Sequence, residues 1–306
     1  MYRVSPLLIV LFLAGCATSN ERYVQNLKTE SLERYATQGI DAVVPFPEKA
    51  GSDTEIRSIP VVGYLAMHTG LILSGDDLDE EEFREMTSHI HETRTESGID
   101  FEINISKNRE FTIGAAAPIT DDGYFLTARH VIEESDAHLL YVTSDEDHTY
   151  IDSGICRVVS RDPKTDIAII RVELATPRYL RIRETPMEKG EVVFGGNPIL
   201  SQCAAGTFTE ESIGRKKKLD LLEEARITDG TQFKTSIPGM HGDSGSPLID
   251  KSGQLCGILI ETGFLGPVRL ERFQNTYVVG LERNAIMKII ALDRKRTQRD
   301  HEVTDH

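Results

Sequence analysis

Short apolar segments separated by turn residues recur along the chain from about residue 101 onward. Asp-Gly, Ser-Gly and Gly-Gly pairs stand between them, and such pairs favour the tight turns that join antiparallel strands. We therefore predict an all-β fold, either a barrel or a sandwich. The predicted strands lie at residues 101–105, 111–115, 124–126, 139–143, 155–160, 167–172, 192–194, 233–235, 247–249, 256–260 and 276–280.

Near the C-terminus the apolar residues change to helical spacing. Ile286, Ile289 and Ile290 fall on one face of residues 284–292, which predicts a short helix that closes the domain. Residues 293–306 are nearly all polar, so we expect a frayed polar tail there.

An acidic segment precedes the predicted strands. Eleven acidic residues and two arginines lie in residues 76–102, so a net charge of −9 is concentrated there. Phe83, Met86 and Ile90 have helical spacing, which predicts a solvated amphipathic helix within a partly helical N-terminal extension over residues 59–104. A docking surface for a basic partner and a calcium site remain alternatives, although the segment lacks the glycine and terminal glutamate of an EF-hand loop.

The first residues indicate where the protein resides. One arginine precedes an apolar run over residues 7–14, which is too short to span a bilayer and predicts a secretory signal peptide over residues 1–15. The sequence Leu-Ala-Gly-Cys that ends at Cys16 resembles a bacterial lipobox. The resemblance implies that Cys16 carries a lipid, that residues 16–58 tether the domain to the membrane, and, from Ala17, that this is the outer membrane facing the periplasm. An ordinary signal cleaved nearby is the alternative.

Charge and cysteine content limit which partners, metals and disulfides we expect. A net charge of −15 over 306 residues argues against nucleic acid, because phosphate binding needs clustered Lys and Arg. The basic runs 215–218 and 294–296 are short, so we expect a solvated loop and tail there. Cys156, Cys203 and Cys256 are expected in the core or at its edge, with at most one intramolecular disulfide and no metal among them.

Three separate motifs supply the parts of an acyl-transfer site. Ser244 lies between glycines in Gly-Asp-Ser-Gly-Ser-Pro, and such glycines allow a sharp turn that exposes the hydroxyl and the backbone N–H groups. A serine needs a base, which His130 offers, and a histidine needs a carboxylate, which Asp166 offers just before an apolar run. Taken singly, each residue also fits a structural role.

The order of these residues is that of a known family. His130, Asp166 and Ser244 are separated by 36 and 78 residues, and the chain resembles chymotrypsin-fold (trypsin-like) serine endopeptidases, closest to the bacterial Deg-type branch. The resemblance implies two six-stranded antiparallel β-barrels over residues 105–292. It also implies an oxyanion hole at the N–H groups of Gly242 and Ser244, with no metal or cofactor.

The same resemblance implies which residues form the substrate pocket and so determine substrate specificity. The substrate pocket is expected to include Pro238, His241, Ile260 and Thr262. No acidic residue lies in residues 236–241, which favours an apolar or small side chain over Lys or Arg, although His241 and Thr262 leave a preference for acidic residues open.

The resemblance implies an envelope-anchored endopeptidase that cleaves protein or peptide substrates. Two alternatives remain. The first is a catalytically silent trypsin-like scaffold that binds a peptide or protein partner. The second is an esterase that uses the same three residues.

Overall fold

The computed structural model describes the chain in separate stretches, with the most complete coverage between residues 112 and 196. The described residues are 22–28, 43–47, 56–75, 93–95, 98–104, 112–133, 136–144, 149–162, 165–188, 190–196, 203–209, 232–235, 242–262 and 276–304. The predicted signal peptide and Cys16 lie outside them. No helix among these residues is long and apolar enough to cross a membrane.

Eighteen strands make up most of the described chain, together with two α-helices and one short 3-10 helix. The strands are β1 Arg22–Lys28, β2 Val43–Pro47, β3 Ile56–Pro60, β4 Gly70–Gly75, β5 Thr93–Thr95, β6 Gly98–Asn104, β7 Thr112–Pro118, β8 Tyr124–Ala128, β9 Asp136–Ser144, β10 Thr149–Ile155, β11 Arg157–Asp162, β12 Ile167–Arg171, β13 Val192–Gly196, β14 Cys203–Thr209, β15 Gln232–Thr235, β16 Pro247–Asp250, β17 Leu255–Thr262 and β18 Thr276–Val279. The helices are α1 Val61–Met67, the 3-10 helix Arg129–Ile132 and α2 Arg283–Thr304.

Two antiparallel units contain most of the strands. The first is a seven-stranded sheet in the order β10-β9-β4-β7-β8-β12-β11, and the second is a closed six-stranded barrel in the order β13-β14-β15-β18-β17-β16. The predicted all-β fold with two antiparallel units and a C-terminal helix is therefore confirmed. The predicted six strands hold for the second unit. The first has seven, and within the described residues β10 and β11 are its open edges.

The seventh strand of the first unit is β4, which lies upstream of the predicted boundary at residue 105. It pairs with β7 on one side and β9 on the other, and all six of its residues are buried. An apolar Leu-Ile-Leu core makes this strand suitable for a central position in the sheet. The first unit therefore begins before residue 105.

The described N-terminal segments are strands where a tether and an acidic helix were predicted. β1 pairs with β6, β6 pairs with β5, and β2 pairs with β3. β1 and β2 lie within the predicted tether, β3 crosses its predicted end at residue 58, and β5 and β6 cover residues 93–95 and 98–104. The helix prediction is therefore wrong for those residues, where Ile99, Phe101 and Ile103 alternate at the period of a strand. The apolar residues on which the helix prediction was based, Phe83, Met86 and Ile90, lie outside the described residues.

Helix α1 packs into the core between the two units. Val61, Tyr64 and Leu65 are buried, and the Tyr64 hydroxyl donates to the carbonyl of Gly253 at 2.9 Å. His68 stacks on the Tyr64 ring with 4.1 Å between ring centroids. Burial lowers the pKa of His68 to about 4, so this imidazole is neutral at physiological pH.

Helix α2 continues to Thr304, so the prediction of a frayed tail from residue 293 is wrong. Asp293 lies at the point where that tail was expected to begin, and it is buried against the first sheet. Its carboxylate accepts two hydrogen bonds from Arg157, at 3.0 and 2.5 Å, and one from the Tyr124 hydroxyl at 2.8 Å. Arg294 binds both oxygens of Asp122, at 2.6 and 2.8 Å. Tertiary contacts of polar residues thus extend the helix where apolar spacing ends.

Two of the cysteines can be described in full. Cys156 and Cys256 are free and buried, as expected for core residues. Burial raises the pKa of both thiols far above the usual range. Cys203 begins strand β14, and its side chain lies outside the described part of the molecule.

Candidate active site

His130 lies on the 3-10 helix that directly follows β8. Strand β8 is buried throughout, and Val131 and Ile132 continue the core, so the short helix is anchored by apolar side chains on one side. The His130 side chain points outward and is 40% exposed. The apolar neighbours therefore fix the backbone and leave the imidazole accessible.

Asp166 is brought to His130 by the pairing of β8 with β12. Ala128 at the end of β8 faces Ile167 at the start of β12, so the residues just beyond this pair meet although they are 36 positions apart. Asp166 has a φ of 57° and is the one non-glycine residue in the left-handed region among those described. Its carbonyl accepts the N–H of Arg129 at 2.8 Å, which holds this uncommon conformation.

The Asp166 carboxylate binds His130 twice. Oδ1 accepts the backbone N–H of His130 at 3.0 Å, and Oδ2 lies 2.6 Å from Nδ1 of the ring. A carboxylate can only accept, so the Nδ1 contact assigns a proton to Nδ1 and leaves Nε2 as the acceptor nitrogen. The pair is therefore arranged so that the imidazole can take a proton at Nε2.

Arg129 adds a cation to this pair. Its Nε lies 3.9 Å from Asp166 Oδ1, and its Nη2 lies 3.2 Å from the Glu133 carboxylate one helical turn along the chain. The Nε atom is buried, and no described residue forms a hydrogen bond with it. The sequence did not indicate this residue, because its proximity to Asp166 arises from the pairing of β8 with β12, which are far apart in the chain.

Ser244 lies in a tight turn before β16. The φ angles of Gly242 and Gly245 are 93° and 90°, a conformation that L side chains rarely adopt. The N–H of Ser246 donates to the carbonyl of Asp243 at 2.9 Å and closes the turn around Ser244. The glycines flanking the serine thus have the conformational role that the motif predicted.

Backbone hydrogen bonds fasten this turn to both units. The Ser244 carbonyl accepts the N–H of Ala115 in β7 at 2.7 Å, and the Gly245 N–H donates to the Leu259 carbonyl in β17 at 2.6 Å. A Cβ at Gly245 would lie 1.8 Å from the Ala115 carbonyl oxygen. The turn therefore fits against β7 only because residue 245 has no side chain.

Gly114 is the point where the serine turn meets the histidine helix. A Cβ at this position would lie 2.4 Å from the Val131 side chain and 3.0 Å from the Ser244 carbonyl oxygen. The turn of Ser244 and the residue after His130 therefore lie on either side of one glycine. Among the described residues, no hydrogen bond joins Ser244 Oγ to His130, so the direct bond in the site is that between His130 and Asp166.

The predicted substrate pocket is described only in part. Ile260 is buried on β17, and Thr262 ends the same strand. Pro238 and His241 lie outside the described residues. In the described part of the chain, no three His, Cys, Asp or Glu side chains are grouped as a metal site would require.

Comparisons with known proteins agree with this geometry. Residues 114–258 match the family model described as a trypsin-like peptidase domain, and this range contains His130, Asp166 and Ser244. Among curated proteins, the chain is 27% identical over 155 residues to a probable periplasmic serine endoprotease, DegP-like, of Chlamydia trachomatis, which covers 50% of this chain and 29% of that protein. It is 26% identical over 149 residues to the protein of the same description in Brucella suis, with 47% and 26% covered.

The chain therefore spans less than a third of the length of the curated relatives it matches. Among solved structures, it is similar to the active form of the Rv3671c protease from M. tuberculosis, with a TM-score of 0.46 and 20% identity. That similarity covers 76% of this chain and 83% of that chain. It is also similar to the HtrA-type protease AlgW with a decapeptide, with a TM-score of 0.49, 15% identity, and 76% and 66% covered.

Proposed function

We propose that the protein is a serine endopeptidase that cleaves protein or peptide substrates, and the match of residues 114–258 to the trypsin-like peptidase domain family supports this proposal. The observation that carries this proposal is the 2.6 Å contact between His130 Nδ1 and Asp166 Oδ2, close to the turn of Ser244. An imidazole held in this way has an unprotonated Nε2 that can serve as a general base.

In the first half of the reaction, the Ser244 hydroxyl oxygen attacks the scissile carbonyl carbon. His130 Nε2 takes the hydroxyl proton, and Asp166 stabilises the imidazolium that results. The tetrahedral intermediate then expels the amine, which takes the proton from His130, and Ser244 remains as an acyl ester. In the second half, water attacks the ester with His130 again as base, and the acid product leaves with Ser244 restored.

The N–H groups of Gly242 and Ser244 are the proposed donors to the oxyanion. The left-handed φ of Gly242 supports this role, because a turn of this shape can direct successive N–H groups to the same side of the chain. Such a donor typically accounts for a factor of about 10² to 10³ in kcat. The contacts of the turn to β7 and β17 hold these groups in place before the substrate arrives.

The proposed location is the bacterial cell envelope. The resemblance of the sequence ending at Cys16 to a lipobox supports attachment to a membrane. The attachment would be a diacylglycerol group on the Cys16 sulfur, linked as a thioether. The curated relatives named above are described as periplasmic, which agrees with an envelope location on the inner side of the outer membrane. The absence of an acidic residue from residues 236–241 supports cleavage after an apolar or small residue.

Hydrolysis of matched substrates tests the proposal. The purified protein is offered an unfolded protein, a peptide library and short-chain esters, alongside Ser244→Ala. Peptide cleavage that is abolished by Ser244→Ala is expected. Ester hydrolysis without peptide cleavage would assign an esterase, and peptide binding without hydrolysis in a folded protein would assign a scaffold; either would overturn the proposal.

A further inference from the structure

The outward face of α2 carries positive charge. Lys288, Lys295 and Arg299 are all exposed, and they lie at intervals of seven and four residues, which places them along one line of the helix. Arg296 is exposed beside this line. The charged residues described as exposed on α2 are basic, and the helix also contains Asp293, which is buried, and Asp300 and Glu302, whose side chains lie outside the described part of the molecule.

Among the contacts of the described residues, none involves a polar atom of these four side chains. The structure records no ion pair or hydrogen bond for them within the described residues. The helix contacts the first sheet through its other face, with Ile286, Ile290 and Asp293 buried. Two ion pairs hold the helix against the sheet, one between Arg294 and Asp122 and one between Arg157 and Asp293. The outward basic residues are therefore available to a partner.

An exposed leucine lies within the basic line. Leu292 is four residues after Lys288 and three before Lys295, and it is 50% exposed, one of two large apolar side chains so described. We call Lys288, Leu292, Lys295 and Arg299 the α2 strip. It extends over twelve residues of helix, from Lys288 to Arg299, which is a rise of about 16 Å. An exposed basic face with an apolar side chain is typical of helices that lie on a membrane surface.

We propose that the α2 strip binds an anionic phospholipid surface. Long basic side chains can reach phosphate groups from a helix lying parallel to the surface, while Leu292 enters the boundary between headgroups and acyl chains. A flat array of phosphates fits a convex line of charges, whereas an acidic protein would need a complementary ridge or groove. This binding does not depend on the peptidase activity.

The charge distribution makes the orientation specific. The strip is positive, whereas the segment 76–102 alone carries a net charge of −9, so a negative surface attracts one part of the molecule and repels another. The Debye length is about 8 Å at physiological ionic strength, so the attraction acts only when α2 faces the bilayer. In a lipid-anchored protein, this second contact would fix how the domain is turned on the membrane.

Vesicle flotation tests the proposal with the full chain carrying Cys16→Ser, so that no acyl chain is attached. Vesicles of pure phosphatidylcholine are compared with vesicles of phosphatidylglycerol and phosphatidylcholine in equal parts. Because Arg3 and the amino terminus also favour anionic vesicles, the contribution of α2 is taken from the comparison of the two double variants below, which share this segment. The double variant Lys288→Gln and Lys295→Gln is matched by a control with Arg181→Gln and Lys251→Gln, two exposed basic residues away from α2.

We expect preferential binding to the phosphatidylglycerol vesicles, reduced by salt at about 0.5 M. Each neutralised lysine should weaken partitioning about fivefold, so the double variant should lose about 25-fold while the control double variant changes little. Equal binding to both vesicles, or equal losses in the two double variants, would overturn the proposal. Binding to polyglutamate without binding to vesicles would instead assign the strip to an acidic protein partner.

Discussion

Replacement of Asp293 by alanine should weaken the contact between α2 and the first sheet. Asp293 is the hub of that contact, because its carboxylate accepts from Tyr124 at 2.8 Å and from Arg157 at 3.0 and 2.5 Å. The Tyr124 ring is fully buried, whereas the Arg157 side chain is 48% exposed. The two partners therefore lose different amounts when the carboxylate is removed.

The magnitude follows from this difference. A buried hydroxyl left without its acceptor costs about 1–3 kcal/mol, and an ion pair with a half-exposed arginine is worth about 0.2–1 kcal/mol. We therefore expect Asp293→Ala to lower the free energy of unfolding by about 1–4 kcal/mol. Tyr124→Phe should cost about 1 kcal/mol, because it removes the hydroxyl together with its hydrogen bond and leaves Arg157 paired. Arg157→Ala should also cost about 1 kcal/mol or less.

Urea unfolding followed by circular dichroism measures these differences. Lys295→Ala is the control, since the residue is exposed on the same helix and should change stability by less than about 0.5 kcal/mol. Once Asp293 is alanine, adding Tyr124→Phe should recover most of the cost of about 1–3 kcal/mol, because it removes the buried hydroxyl that was left without an acceptor. If Asp293→Ala lowers the free energy of unfolding by no more than Tyr124→Phe does, the carboxylate is not the hub of this contact.

Three further predictions concern the site and the pH dependence. Gly245→Ala should destabilise the fold by more than about 4 kcal/mol, because its Cβ would lie 1.8 Å from a backbone oxygen, and an unchanged melting temperature would contradict this. Asp166→Asn should lower kcat for a peptide substrate by about 10⁴-fold at unchanged melting temperature, since the amide no longer fixes the His130 tautomer; a loss below tenfold would contradict the assignment. Acid should destabilise the protein through Asp293. The Arg157 hydrogen bonds hold the pKa of Asp293 below its ordinary value of 3.8, so this stabilisation is complete above that value and is lost as the pH falls below it. The melting temperature of Asp293→Asn should therefore fall less between about pH 5 and pH 3 than that of the wild-type protein, and parallel falls would exclude this carboxylate as a cause.

The strands of both units could be predicted largely from local pattern. Alternating or continuous apolar residues gave the positions of β7, β8, β12, β16 and β17 to within a few residues. Strand β4 was not among the predicted strands, because its place between β7 and β9 depends on pairing with residues far along the chain. The length of α2 was missed because its second half docks through Asp293 and Arg294, which a search for apolar spacing passes over.

The candidate site shows the same division between local and distant information. Residue types and chain order were sufficient to propose His130, Asp166 and Ser244. The left-handed φ of Asp166 and the proximity of Arg129 to its carboxylate follow from the register of β8 with β12, which no local pattern specifies. Gly114 was predicted only as part of the strand over residues 111–115, although it is the contact point between the serine turn and Val131.

Covalent labelling of Ser244 tests the central claim most directly. The purified protein is treated with a fluorophosphonate probe and the modified residue is identified by mass spectrometry, alongside Ser244→Ala, His130→Ala and the control Ser252→Ala, an exposed serine in a nearby turn. The account predicts labelling at Ser244 alone, no labelling in Ser244→Ala, a loss of several orders of magnitude in the labelling rate of His130→Ala, and an unchanged rate in Ser252→Ala. Labelling of folded His130→Ala at the wild-type rate, or no labelling of the folded wild-type protein, would contradict it.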